Sequence, residues 1–335
     1  MTNSNLEVSQ SQSRLVLKRF VRHRGAMAGL IGLVAIFVFV FTAGGIQLGS
    51  AEAPIVIPGW WHYSINDILD IVDEGKATLD LLPPFIDGTG LNFGDHPFGQ
   101  TLIGQDYFAL VIRGAQQSLM VMVVVGLVAT IIGTALGAIS GFVRGPVDSV
   151  IMRVTDLIIT IPAIIVGAVI GFQIGNLGVF YLALFLGLFT WTNLARLVRG
   201  EFLSLRSRDF VDAARVAGAS NSRIIFKHML PNAVGVIIVS ATLLMSSAIL
   251  LETALSYLGF GVLPPDVSLG TLISQNQDAF ATRPQLFWYP GVFIVAIALC
   301  VNFIGDGLRD AFDPRQIIAN KRRFKKGRLS LKVTK

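Results

Sequence analysis

Long apolar runs dominate this chain, and shorter polar or charged segments separate them. A helix needs about 20 mostly apolar residues to cross roughly 30 Å of bilayer hydrocarbon, so runs of that length predict membrane-spanning helices. They are found at residues 26–48, 118–140, 157–174, 177–195, 233–251 and 290–304. The pattern therefore predicts an all-α membrane protein with six transmembrane helices. The first run is too long for a signal peptide and indicates a retained anchor.

Composition agrees with a membrane protein and excludes a soluble one. Hydrophobic residues make up 53% of the 335-residue chain, charged residues make up 14%, and mean hydropathy is +0.66. This lies far from the usage of soluble domains. The single cysteine, Cys300, lies within the sixth run, so the sequence offers no disulfide framework and no Cys-x-x-Cys metal pair.

Basic residues mark the segments that face the cytoplasm, because Lys and Arg in short loops accumulate on that side of a membrane. They are in excess in the N-terminal segment 1–25, in the loop 196–232 and in the C-terminal tail 309–335. Both termini are therefore predicted to be cytoplasmic. Anionic headgroups at that face account for the net charge of +6 without a nucleic-acid partner.

The segment between the first two spans, residues 49–117, is acidic and is predicted to be an extracytoplasmic insertion. Its aromatic pair, Trp60 and Trp61, is typical either of an interfacial anchor or of a docking surface for a solute-delivering protein. The long acidic part, residues 49–95, serves such a protein or shields the outer gate. The later spans, within residues 118–308, form the core domain.

Two glycine patterns predict how neighbouring spans meet. Gly133, Gly137 and Gly141 recur every fourth residue, which places them on one helix face where another backbone can approach closely. The third and fourth spans are joined at Gly175 and Asn176 with almost no loop, which predicts a helical hairpin.

The basic loop 196–232 is long enough for two short helices and too polar to enter lipid. Asp209 and Asp212 favour the first turn of a helix through its dipole, and Gly218 can end that helix in the left-handed conformation. Ser220 or Asn221 can cap a second helix, which Pro231 is expected to end. On this pattern alone, the loop either docks on an acidic cytoplasmic protein or covers the inner ends of the spans.

Few charged residues lie within the spans, which disfavours an ion-coupled secondary carrier, since such carriers place charges at membrane depth. Glu252 is the main exception. Its position at the outer end of the fifth span predicts a carboxylate in contact with water, with substrate contact as the other interpretation. Ser240, Ser246 and Ser247 in the same span suit either a translocation path or close helix packing.

Several segments resemble one protein family. Asp212-Ala213-Ala214, then Gly218 and then Leu230-Pro231, are similar to the EAA loop of binding-protein-dependent ABC importer permeases, with Asp in place of the usual Glu. Residues 255–261, 288–291 and 305–315 resemble the C-type subunit of the dipeptide and oligopeptide permeases. Residues 99–106 depart from the family pattern, with Gly-Gln-Thr and Gly-Gln-Asp where the family has Gly-Thr-Asp and Gly-Arg-Asp.

The resemblance implies a type I ABC importer permease in a bacterial cell membrane. Its implied partners are a second, B-type permease subunit, two ABC ATPase subunits or one fused ATPase, and an extracytoplasmic peptide-binding protein. ATP and Mg²⁺ would bind the ATPase, and no cofactor or metal is expected on this chain. The resemblance assigns ATPase coupling to Asp212, Ala213, Ala214, Ala217, Gly218, Ala219, Arg223, Leu230 and Pro231.

The chain itself is not expected to be an enzyme. It lacks the Gly-x-x-x-x-Gly-Lys-Ser/Thr loop that cradles nucleotide phosphates, and no catalytic residues are assigned. The expected substrate is a di- or oligopeptide, with a nickel chelate or another small solute as the alternative. The polar residues of the fifth span that suit a path are Ser240, Ser246, Ser247 and Glu252.

Overall fold

Helices make up nearly all the secondary structure of this computed structural model, which describes residues 12–48, 55–79 and 92–312. The helices are α1 (Gln12–Arg22), α2 (Arg24–Gly44), α3 (Tyr107–Val143), α4 (Gly145–Thr160), α5 (Ala163–Ile174), α6 (Val179–Thr190), α7 (Thr192–Arg206), α8 (Asp209–Val216), α9 (Asn221–Arg223), α10 (Leu230–Tyr257), α11 (Leu269–Gln275) and α12 (Gln285–Phe312). Two short antiparallel strands, β1 (Ile46–Leu48) and β2 (Ile55–Ile57), follow α2, with Ile46 opposite Ile57. The prediction of a helical protein is confirmed apart from this small ribbon.

The described residues contain between four and six candidate membrane spans. Four helices are individually long and apolar enough to cross a bilayer: Arg24–Gly44, Tyr107–Val143, Asn221–Tyr257 and Gln285–Phe312. The other two candidates are helix pairs, α4 with α5 and α6 with α7, which bend by 82° and 43° at their breaks. Six spans remain the prediction if each bent pair crosses once.

The third predicted span, residues 157–174, is not one straight helix. It breaks between α4 and α5, where Ile161 has extended backbone angles (φ −88°, ψ 122°) and precedes Pro162. The proline ring disfavours helical angles in the residue before it, which explains the break. The predicted tight turn after this span is confirmed, because residues 175–177 form a single 3₁₀ turn that leads into α6.

The second predicted span begins earlier than hydropathy suggested. The apolar run starts at Ser118, but α3 begins at Tyr107, where the Asp106 side chain accepts a hydrogen bond from the Ala109 backbone N–H (2.8 Å). The intervening polar residues are bonded within the protein, with Gln116 and Gln117 buried and Arg113 partly buried. Gln116, for example, donates to the backbone oxygens of Val40 (3.1 Å) and Gly45 (2.8 Å).

Asp106 also fastens the inserted segment to the start of α3. Its fully buried carboxylate bonds the His96 Nδ1 (2.9 Å) and accepts from the Trp61 indole N–H (2.8 Å). Trp61 packs on Phe108, with ring centroids 4.6 Å apart. One member of the tryptophan pair is therefore a structural contact within the insertion, while Trp60 is 50% exposed.

The glycine face of α3 packs on α7, as its spacing predicts. A Cβ atom at Gly133 would lie 2.8 Å from the Trp191 oxygen, and one at Gly137 would lie 2.5 Å from the Ala195 oxygen. At Gly141 it would lie 2.7 Å from the Arg199 oxygen. These distances leave no room for a side chain, so α3 and α7 touch backbone to backbone.

We expect Gly137→Leu to destabilise the protein by about 1–3 kcal/mol or more, since the new side chain would force α3 and α7 apart. Gly200→Leu is the matched control, because Gly200 lies on α7 but a Cβ there meets nothing within 4 Å. Thermal unfolding of the detergent-purified protein measures both changes. Equal melting temperatures for the two variants would contradict the packing assigned to Gly137.

Candidate functional site

The loop between α7 and α10 folds as a short helix and a glycine turn, as predicted. Asp209 and Asp212 lie in the first turn of α8. The chain then turns at Gly218, whose φ of +76° is in the left-handed region that favours glycine. The Gly218 N–H donates to the Arg215 oxygen (2.9 Å) and the Ala219 N–H to the Ala214 oxygen (3.0 Å), which closes the end of α8. Ser220 then caps the next helix at the Arg223 N–H (3.4 Å).

The predicted boundary at Pro231 is wrong. The helix that starts at Asn221 continues without a break to Tyr257. The last part of the loop and the fifth predicted span therefore form one continuous helix, called the rod below. Residues Ile224–Met229 form a π-helical turn just before the proline, and the Leu230 N–H bonds the Ile225 oxygen. The wider turn accommodates a residue that has no N–H to donate and whose ring clashes with the preceding turn of an α-helix.

The residues assigned to coupling lie on the surface of this loop, over an apolar core. Val211, Ile224 and Met229 are fully buried together with Phe202 of α7. Asp212, Ala213, Ala217, Gly218, Arg223 and Pro231 are exposed, and Ala214, Ala219 and Leu230 are half-buried. The structure thus leaves six of the nine residues exposed, while the other three are partly covered where the loop packs on its apolar core.

Sequence reasoning missed three exposed apolar residues of the same loop. Val216 is 90% exposed, Phe226 is 68% exposed and Phe210 is 39% exposed. Phe210, Ala213 and Ala217 follow a helical i, i+3, i+7 spacing, and this signal could have revealed a second apolar stripe on α8 opposite the buried Val211. The loop therefore exposes large apolar side chains as well as the small residues that the sequence indicated.

Ion pairs fasten the start of the loop to α4. The Arg199 guanidinium makes a two-pronged contact with the Asp148 carboxylate (2.6 and 2.7 Å), and the Ser140 hydroxyl also donates to Asp148. One turn earlier, Arg196 pairs with Asp156. Two-pronged Arg–carboxylate contacts fix orientation as well as distance. Helices α3, α4 and α7 therefore hold the loop in a defined position.

A cavity of about 520 Å³ lies between the bent pairs and α10. Most of its lining is apolar, and its polar residues are uncharged: Thr190, Thr192, Asn193, Ser240 and Ser247. Two of the predicted path residues, Ser240 and Ser247, thus line it. Ser246 points elsewhere and donates a hydrogen bond to the Ala298 oxygen of α12 (3.4 Å).

Glu252 does not contact water, contrary to the prediction. It is fully buried, with 0% exposure. Its carboxylate accepts hydrogen bonds from the Ser118 hydroxyl of α3 (2.9 Å) and the Ser256 hydroxyl one turn later on α10 (2.7 Å). The neighbouring segment 258–268 folds back over the end of α10, where the Val262 N–H donates to Ser256 (3.2 Å). Folding of the chain after the span, which hydropathy cannot show, explains the burial.

Two family models match the chain. Residues 133–318 match the binding-protein-dependent transport system inner membrane component, and residues 11–84 match the N-terminal TM domain of oligopeptide transport permease C. The first match covers more than half of the chain and includes the whole loop. The chain belongs to the family of inner-membrane components of binding-protein-dependent transport systems.

Curated relatives of this permease extend along nearly its whole length. The oligopeptide transport system permease protein OppC of Mycobacterium tuberculosis is 39% identical over 91% of this chain and 95% of its own length. A putative peptide permease protein of Brucella suis is 36% identical over 89% of each chain. OppC of Haemophilus influenzae is 33% identical over 89% of this chain and 87% of its own.

A solved structure supports the fold of the permease. A chain of the inward-facing MetNI methionine ABC transporter aligns with a TM-score of 0.52 at 20% identity. It covers 61% of this chain and 96% of that chain. At this identity the likeness concerns the fold, and it agrees with an ABC importer permease.

We expect Glu252→Leu to destabilise the permease, because two buried hydroxyls lose their acceptor at about 1–3 kcal/mol for each group left unsatisfied. Glu252→Gln keeps one carbonyl acceptor and should cost less. Ser247→Ala, on the exposed side of the same helix, is the control and should leave stability unchanged. Thermal unfolding in detergent compares the melting temperatures of the three variants. A Glu252→Leu protein as stable as the unsubstituted one would disprove the stabilising role of the Glu252 hydrogen bonds.

Proposed function

We propose that this chain is a peptide-translocating permease subunit of an ABC importer, coupled to a separate ATPase through the loop 196–232. The observation that carries the proposal is the uninterrupted helix Asn221–Tyr257. Its first turns lie in the loop, its middle lines the cavity with Ser240 and Ser247, and its far end carries the buried Glu252. A displacement of the loop therefore reaches the cavity through one rigid element.

The names of the relatives favour a peptide as the substrate. The mycobacterial, Brucella and Haemophilus proteins are all named as peptide or oligopeptide permeases, and each aligns with about nine-tenths of this chain. We therefore propose a peptide rather than a nickel chelate. The uncharged, mainly apolar cavity suits this, since hydroxyl and amide groups can bond a peptide backbone while the apolar lining accepts varied side chains.

The proposed complex contains this chain, a B-type permease subunit, two ABC ATPase subunits or one fused ATPase, and an extracytoplasmic peptide-binding protein. The family description, a component of a binding-protein-dependent system, supports the last partner. ATP and Mg²⁺ belong to the ATPase. We propose that the loop and both termini face the cytoplasm, because the loop carries exposed arginines and Lys227 and both terminal segments have an excess of Lys and Arg.

The exposed face of the loop supports ATPase docking. Val216 and Phe226 offer apolar contact area, and the same loop carries exposed Arg208, Arg223 and Lys227. Protein interfaces combine apolar contacts with polar ones. Apolar area exposed to this extent would be costly if the loop merely covered the ends of the spans.

Coupling requires that the ATPase bind the loop differently in two permease arrangements. A ligand shifts a conformational equilibrium only through its different affinity for the two states. Closure of the ATPase subunits moves the docked loops, and the ion pair between Arg199 and Asp148 passes that movement to α4 and α7. These helices and α10 together line the cavity, so its access changes as they shift.

We expect Gly218→Arg to abolish peptide-stimulated ATP hydrolysis and peptide uptake by the assembled complex. A Cβ at Gly218 meets nothing within 4 Å in this chain, so the arginine would extend into the docking partner. Gly218→Asn, a residue that tolerates left-handed angles, should retain much of the activity. ATPase and uptake assays in proteoliposomes measure both.

The matched control is Gly259→Arg. Gly259 has a similar φ of +83° and equally open surroundings, but it follows the far end of α10. The Gly259→Arg substitution imposes the same backbone strain at a position away from the loop. This variant should therefore preserve coupling. If Gly218→Arg couples normally in an assembled complex, the proposed docking site is wrong.

We expect Ser247→Trp to reduce uptake of long peptides more than of dipeptides, since the indole would occupy part of the cavity. Leu250→Trp adds the same side chain at a residue that is 50% exposed and outside the cavity lining. Competition between labelled peptides of different length, measured in vesicles, compares the two variants. Equal uptake of long peptides and dipeptides by the Ser247→Trp and Leu250→Trp variants would argue against a path through this cavity.

A further inference from the structure

Helix α1 has one face packed on the protein and two that are exposed. On the packed face, Phe20 is buried against Ala26 of α2 and Ala311 of α12. The Arg19 guanidinium donates to the Ala311 backbone oxygen (3.3 Å). These contacts fix how α1 is rotated about its axis, so the direction of its other residues is defined.

The exposed faces of α1 differ in character. Leu17 and Val21, one turn apart, are 62% and 53% exposed and form an apolar stripe. Arg14, Lys18 and Arg22 follow the same spacing on the adjoining face, and all three are exposed. An amphipathic helix with apolar and basic stripes side by side is typical of helices that lie at a membrane surface.

The position of α1 relative to α2 places it at that surface. Only His23 separates the two helices, and its extended backbone (φ −81°, ψ 105°) prevents them from continuing as one rod. The His23 ring caps α2 by accepting from the Ala26 N–H (3.0 Å). Because α2 is a candidate membrane span that begins at Arg24, the residues before it lie at headgroup depth.

We propose that α1 is an anionic-lipid binding site, with Leu17 and Val21 inserted between acyl chains and Arg14, Lys18 and Arg22 bound to headgroup phosphates. The charges around the helix fit this partner. The Asp310 carboxylate lies 3.3 Å from the His23 ring, and among the described residues at the ends of α2 and α12 exposed Arg24 and Arg309 outnumber the other exposed acid, Asp306. A bilayer is the occupant we favour because the adjoining span already enters it.

Lipid bound at α1 has a route to the loop helix. α1 packs on the end of α12 at Ala311, and the next residue, Phe312, packs on Gly235, where a Cβ would lie 2.8 Å from its ring. Gly235 belongs to the rod Asn221–Tyr257. The lipid site itself does not depend on the substrate or on ATPase docking.

The test uses the assembled complex in nanodiscs of phosphatidylcholine with or without phosphatidylglycerol. Native mass spectrometry counts the phosphatidylglycerol that stays bound. R14Q/K18Q/R22Q should lower retention by roughly fivefold for each charge removed. R14K/K18R/R22K keeps the charges and should retain lipid as the unsubstituted complex does.

A second measurement separates a bilayer from a protein partner. A fluorescent probe is attached at Val21→Cys in a Cys300→Ser background, and brominated lipids are used as quenchers. Strong quenching with and without the ATPase subunits is the expected result, with weaker quenching at Lys18→Cys. Unchanged phosphatidylglycerol retention in the triple glutamine variant, or a Val21 probe shielded only by the ATPase, would overturn the proposal.

Discussion

The close approach of α3 and α7 is the contact on which the rest of the fold depends. Inside a bilayer, helices gain little from burying apolar side chains against each other, since lipid is equally apolar. Association then relies on close packing, which the glycines of α3 allow by letting backbone oxygens of α7 lie where side chains would be. This contact brings Arg199 beside Ser140 and Asp148, and so fixes α4 and the start of the loop.

A second constraint is that polar groups buried away from water must be hydrogen-bonded. Asp106, Gln116 and Glu252 are all buried. Each forms a hydrogen bond with a residue from another part of the chain. Buried polar groups cost free energy unless they are bonded, so these contacts hold the insertion, α2 and the end of α10 in place. The end of the molecule away from the loop is thus organised by polar networks, and the helix bundle by close packing.

The continuous helix from Asn221 to Tyr257 connects the closely packed helix bundle with the polar networks at the other end of the molecule. It begins beside the exposed apolar residues of the loop and ends at the bonded carboxylate of Glu252. The π-helical turn before Pro231 keeps it continuous. π-turns inside helices are frequently found at functional sites, which supports the proposed role of this helix in transmitting movement.

The sequence by itself determined the helical class, the positions of four long apolar helices, the glycine face of α3 and the glycine turn at Gly218. These follow from local rules: the length of an apolar run, the spacing of small residues and the backbone freedom of one residue type. Only the tertiary structure decided that α7 is the partner of the glycine face, that the helix passes through Pro231 and that Glu252 is buried. Each depends on groups distant in sequence or on how a turn adjusts to its surroundings. The spacing of apolar residues shows neither of these.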